Sequence, residues 1–106
     1  MPIIDGAGRF HAPAGEAHFD EHLRSADLSV GTYSIPAGAV DDQTPHTEDE
    51  IYVVTSGRAT FTDESGSVEL RAGDTLYVAA GVEHRFVDVV EDLTLVVIFA
   101  PPYRGS

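Results

Sequence analysis

His46, Glu50 and His84 are the residues of this chain whose types and spacing best suit chemistry. His46 and Glu50 lie in GAVDDQTPHTEDEIYVVTSG, residues 38–57, just ahead of a β-rich run, and His84 heads another such run in GDTLYVAAGVEHRFVD, residues 73–88. If the first segment is extended, Thr44, His46, Glu50, Tyr52 and Val54 share one face, so His46 and Glu50 can point together into an interior. A buried carboxylate without a partner is costly, and a cation would satisfy it. His84 joins them if its strand lies beside or opposite the first. Two neutral imidazoles and one carboxylate suit Fe(II), Mn(II), Ni(II) or Zn(II), with coordination positions left open for water, substrate or dioxygen. The competing reading makes both histidines hydrogen-bonded rim residues and places Glu50 in a solvated acidic run with Glu48 and Asp49.

These residues must be positioned by strands. From Asp27 onward, short β-branched and aromatic runs alternate with turn residues: DLSVGTYSI, EIYVVTSG, RATFTD, SVELR, TLYVAA, HRFVDVV and LTLVVIFA. About seven strands in about seventy residues, with turns at this spacing, predict a sandwich or small barrel. Ser56-Gly57 reads as a hairpin connection and Asp63-Glu64-Ser65-Gly66 as a second tight turn. TLYVAA and LTLVVIFA are apolar on both parities, which predicts burial on both faces, in a two-sheet jelly roll with a filled interior or in one whose outer face meets a partner subunit.

Residues 1–26 are read as an N-terminal segment packing on a single domain formed by residues 27–106. Gly6, Gly8, Pro13 and Gly15 break any long element there. His18 and His22 would share a helix face, but the segment lacks the glutamate directly after the first histidine that a zinc-protease helix requires, and no apolar stripe anchors it. The segment is therefore read as solvated, covering a sheet edge, with His11 at the surface.

Composition narrows the function. The 106 residues are 42% hydrophobic and contain no cysteine, so this is one folded domain without disulfides or thiolate sites, and any metal is held by His and carboxylate. Eighteen acids against six bases, all arginine, give a formal charge of −12, a field that repels nucleic acid and anionic membrane surfaces. Neither a secretory signal nor a membrane span is apparent, so a cytoplasmic location is expected.

The two segments resemble the paired motifs of the cupin superfamily. Gly38, five residues, Thr44-Pro45-His46, three residues, Glu50, six residues and Gly57 reproduce the spacing of the first motif, with Thr44 where the first histidine is expected. Gly73, five residues, Ala79-Ala80-Gly81, two residues, His84, three residues and Asp88 follow the second, with Ala79 replacing proline and Asp88 replacing asparagine.

The resemblance implies an all-β fold, a double-stranded β-helix or jelly-roll barrel. It also implies a divalent transition metal on His46, Glu50 and His84. With Thr44 in the missing ligand's place, the preferred arrangement is a three-ligand site with an extra water. The alternatives are a fourth ligand recruited from Gln43, the first substitute, or Glu48, or a metal too weakly held to stay bound. Tyr52 is the preferred polar wall residue, and Glu48 or Tyr52 would move a proton. Tyr33, Phe61, Tyr77, Phe86 and Phe99 are further candidates to line the barrel. The implied activities are those of a dioxygenase, isomerase or lyase acting on a small molecule. The alternative is a non-catalytic ligand-binding or sensor cupin, metal-free if the loss at Thr44 proves decisive. A homodimer is expected.

Overall fold

The computed structural model describes residues 3–41 and 43–105. Among the described residues six strands form: β1 (His18–Arg24), in the N-terminal segment, and, from the seven runs, β2 (Ser29–Ile35), β3 (Asp49–Asp63), β4 (Gly66–Arg71), β5 (Thr75–Val78) and β6 (His84–Ala100). Every pairing is antiparallel, in the order β1-β2-β6-β3-β4, with β5 also on β3. Among the described residues no helix is long and apolar enough to cross a membrane.

The hairpin expected at Ser56-Gly57 is not there. EIYVVTSG and RATFTD run on as the single strand β3, and HRFVDVV and LTLVVIFA likewise form β6. Gly57 has φ +94°, and a Cβ at this position would lie 2.2 Å from the carbonyl oxygen of Asp92. The glycine therefore serves a sharp bend with close backbone approach, not a reversal. The β3–β6 register shifts repeatedly between Val54 and Thr60, and Asp88, at φ +49°, marks the matching irregularity in β6.

These bends keep the core on one side. Glu50, Tyr52 and Val54 are buried before Gly57, and Ala59 and Phe61 after it, so the inward parity is reset at the bend. In β6 the parity resets from His84 and Phe86 to Val89, Leu93, Leu95, Val97 and Phe99. Asp88 is thereby exposed and does not share the face of His84, contrary to simple alternation.

The same bends decide which chain ends meet. Glu50 pairs with Phe99, whereas His84 pairs with Asp63 at the far end of the β3–β6 ladder. A straight ladder would hold Glu50 and His84 roughly 40 Å apart at about 3.3 Å per residue. Their side chains are 3.8 Å apart because the ladder folds over on itself. One core cluster, including Tyr33, Val54, Phe61, Leu70, Phe86 and Leu95, fills the space between the two halves.

All seven residues of β2 are buried. Its outer face is covered by the N-terminal segment: Gly8 N donates to Thr32 Oγ1 and His11 N to Ser34 Oγ, both at 3.0 Å, while Thr55 Oγ1 donates to Gly8 O at 3.1 Å. Two-sided burial in β2 therefore comes from the chain itself. β5, expected to be covered on both faces, has an open outer one on which Tyr77 is 65% exposed beside Ile51. β1 covers the outer edge of β2 as a strand and not as a helix, so His18 and His22 do not stack on a helical face.

Gly57→Ala should lower stability by ~3 kcal/mol or more, through left-handed strain and the clash with Asp92. Gly38→Ala, at φ +79° with nothing within 4 Å of its Cβ, should cost about 1 kcal/mol. Urea denaturation of both variants checks this, and equal losses would contradict the close-approach explanation.

Candidate metal centre

His46 sits in the irregular segment before β3, held where Gly81 N donates to its carbonyl at 2.7 Å. Glu50 is the second residue of β3 and His84 the first of β6. Glu50 Oε1 lies 4.0 Å from His46 Nε2 and 3.8 Å from His84 Nε2, with all three side chains 7% exposed or less. One ligand atom from each falls within 4.8 Å of the others. His84 Nδ1 donates to the Val82 carbonyl at 2.9 Å, which leaves Nε2 with its lone pair toward the cluster. Phe61 stacks on the His84 ring, and Phe99 and Tyr103 flank His46 edge-on.

Thr44, at the position of the missing histidine, is exposed. Its place at the cluster is taken by its neighbour Gln43, whose Oε1 accepts from His46 Nε2 at 3.0 Å and from Tyr52 OH at 3.3 Å. Tyr52 OH also lies 3.0 Å from His84 Nε2. Tyr52 thus bridges both sides of the pocket.

Asp41 carries no signal in the sequence reading, yet it sets this arrangement. Its buried carboxylate accepts from Tyr33 OH at 2.7 Å and Gln43 N at 3.2 Å on one oxygen, and from Gln43 Nε2 and Phe86 N at 2.9 Å on the other. The bond to Nε2 fixes the amide so that Oε1 faces His46 and Tyr52. Arg85, opposite in parity to His84, donates to the carbonyls of Asp41 and Gln43 and ties down this stretch from outside. An acid next to another acid in GAVDDQ resembles surface charge, and only its long-range partners distinguish it.

Burial pushes the Glu50 carboxyl up to about 7, with the Glu48 and Asp41 charges adding to the shift and the Tyr52 hydroxyl opposing it. Burial, then the nearby His84, holds the His46 imidazolium below its usual range, so the ring stays neutral. Burial, then the Glu50 charge, pushes the Tyr52 phenol well above its ordinary value. The pocket therefore disfavours charge that its own protein atoms do not compensate. Among the described residues Glu50 Oε2 and His46 Nδ1 are buried with no hydrogen-bond partner. Two imidazoles around a buried carboxylate with an oxygen left open fit a divalent cation.

Glu48 is fully buried and directed to the C-terminal segment. Its Oε2 accepts from Thr47 Oγ1 at 2.8 Å, Arg104 Nε at 3.0 Å and Arg104 N at 3.2 Å. Burial works to raise its pKa, but the bonds from Thr47 and Arg104 outweigh it and hold the carboxyl below its usual range. Next to Arg104, Tyr103 stacks on Phe99 and meets Phe19.

A cavity of about 90 Å³ opens beside the cluster, lined by Phe19, Tyr33, Gln43, His46, Tyr52, Val97, Phe99 and Tyr103. Of the expected wall aromatics, Tyr33 and Phe99 line it, Phe61 and Phe86 pack behind it, and Tyr77 lies outside the barrel. A larger groove of about 750 Å³ runs along β4 and β5, and neither histidine nor Glu50 lines it.

Residues 31–100 match the sequence model of the cupin domain. The chain belongs to the cupin family. An uncharacterized protein of Streptomyces coelicolor is 42% identical over 89 residues, spanning 84% of this cupin and 85% of the relative. Among solved structures, an uncharacterized double-stranded β-helix protein of Klebsiella pneumoniae superposes with TM-score 0.78 at 21% identity, over 95% of this cupin and 89% of that chain. The DMSP lyase DddQ of Ruegeria pomeroyi superposes with TM-score 0.75 at 20% identity, over 94% of this cupin and 54% of the lyase. Both structures share the fold with this cupin.

Two outcomes follow. Asp41→Asn should cost about 2–4 kcal/mol in urea denaturation, because an amide NH2 would face a donor already in place. In metal-free protein, Glu50→Gln should raise Tm at pH 8. The folded pKa of Glu50 lies above the ordinary carboxylate value, so metal-free stability falls as pH rises from about 4.5 through about 7. Parent and variant should therefore converge near pH 4.5, and a Gln variant less stable at pH 8 would show that the Glu50 charge is compensated by the protein.

Proposed function

We propose that this cupin is a metal-dependent enzyme of the lyase or isomerase class, acting on a small organic molecule, with a divalent transition metal held by His46, Glu50 and His84. The observation that carries this reading is the convergence of two imidazoles on a buried carboxylate whose Oε2 has no hydrogen-bond partner among the described residues. Gln43 Oε1 is the fourth donor, a neutral amide oxygen in place of the imidazole absent at Thr44. The lyase fold-mate is consistent with this class.

When bound, such an ion supplies Lewis-acid polarisation of a substrate oxygen. The chain's own groups do the rest. Tyr52, kept neutral by burial and by Glu50, is the general acid, its hydroxyl placed between His84 and Gln43. Asp41 orients Gln43 through the amide nitrogen. Phe19, Val97, Phe99 and Tyr103 exclude water and select a compact, largely apolar substrate, because the cavity is smaller than one that holds benzene and no arginine lines it. Glu48, engaged with Arg104, holds the C-terminal segment so that Tyr103 closes the wall; the proton transfer is assigned to Tyr52.

Metal analysis of tag-free protein should find a tightly held divalent ion, and a His46→Ala, His84→Ala variant should hold one equivalent fewer. With a panel of small carbonyl and β-substituted substrates, Tyr52→Phe should retain metal and lower turnover by ~10²–10⁴. A metal-free parent would overturn the reading. Ligand-dependent thermal stabilisation without turnover would favour a non-catalytic binding cupin.

A further inference from the structure

The N-terminal segment carries a second cluster of metal-ligating side chains, on the outer surface and built from different elements. His11 belongs to the segment that crosses the face of β2, while His18 and Asp20 lie two positions apart on β1 and so project from the same side of that strand. His11 Nδ1 is 2.7 Å from Asp20 Oδ2, and His18 Nε2 is 2.9 Å from Asp20 Oδ1. The two rings meet edge-on with centroids 5.1 Å apart. One ligand atom from each of the three residues lies within 4.8 Å of the others. Each imidazole thus addresses its own oxygen of one carboxylate, a geometry in which a cation can replace two hydrogen bonds without moving the backbone.

We propose that His11, His18 and Asp20 form a second, surface site for a borderline-soft divalent transition metal such as Zn(II), which fastens the N-terminal segment to β1. Two imidazoles and a carboxylate are the donors such ions prefer, and Mg(II), which seeks oxygen ligands, is not expected to bind. The side chains are between about one-third and three-fifths exposed, so the remaining coordination positions are open to water. The chain's formal charge of −12 attracts the cation. On binding, each ring gives up its hydrogen bond to Asp20 and carries its proton on the other nitrogen.

The site also bears on the interior. Phe19, between the two β1 ligands, points the opposite way, lines the cavity and packs on Phe99 and Tyr103. An ion outside β1 would thereby restrain one wall of the pocket. Because His11 N and Gly8 N bond to the outer face of β2, the same ion would hold the covering segment over Ser34 and Thr32.

The test is calorimetric titration of metal-free, tag-free protein with ZnCl2, repeated on a His11→Ala, His18→Ala variant whose substituted side chains lie at the surface. The variant should bind one Zn(II) fewer than the parent, and Zn(II) should slow proteolytic cleavage within residues 3–17 in the parent only. This difference of one ion is expected whether the interior centre takes up Zn(II) or not, so failure of the surface site and failure of the interior one are read separately. Equal stoichiometry in parent and variant, or equal protection by MgCl2, would overturn the proposal.

Discussion

The structure depends on the folding over of a single ladder. β3 and β6 pair along almost their whole lengths, and if they ran straight they would carry Glu50 and His84 to opposite ends of the molecule. Gly57 in one strand and Asp88 in the other permit the bend, one by having no Cβ where the Asp92 carbonyl approaches, the other by adopting a left-handed backbone. The bend closes the core, resets the inward parity and assembles the histidines and glutamate in one step. The small strands β4 and β5 then fill the two flanks that the bent pair leaves open, each on a different half of β3.

Within that interior, two buried carboxylates have opposite fates. Asp41 accepts four hydrogen bonds, from Tyr33, Phe86 and both nitrogens of Gln43, so its burial is compensated by protein donors. Glu50 is equally buried, but its Oε2 has no such donor among the described residues. The first carboxylate fixes the Gln43 side chain that lines the pocket, and the second leaves one oxygen open beside the two histidines. Glu48 is intermediate, one oxygen committed to Arg104 and Thr47 and the other without a partner among the described residues. A run of acids that looks uniform in sequence is thus divided by its surroundings into three roles.

The all-β class, the approximate strand limits and the three-residue cluster were legible because they rest on local information: alternation, turn residues and the spacing of two motifs. The hairpin read at Ser56-Gly57 was not, since a glycine with positive φ serves a reversal and a bend equally well and only the approach of Asp92 separates them. β1 escaped notice because HFDEHLR lacks a clean apolar alternation; Phe19 faces the cavity while His18 and Asp20 face outward, and a bulge between Glu21 and Leu23 interrupts the pattern. Of the two runs apolar on both parities, LTLVVIFA in β6 is buried on its inner face and half-buried at Val96 and Ile98, while in β5 the outer face of the single chain leaves Tyr77 open.

By itself the sequence determined the family, the strand-forming segments after Asp27 and the two histidines and glutamate that meet in the interior, because each of these is encoded in residue type at short, fixed spacing. It also named Thr44 as the position of the missing histidine and Gln43 as its first substitute. Only the tertiary structure decided that Thr44 faces outward, that Gln43 is oriented by Asp41, that Glu48 belongs with Arg104 and that His11 reaches His18 and Asp20. Each of these depends on a partner far along the chain or on the direction of a side chain at an irregular backbone position. Strand periodicity ends where such positions begin, and there the folded neighbours, not the local pattern, set where a group points.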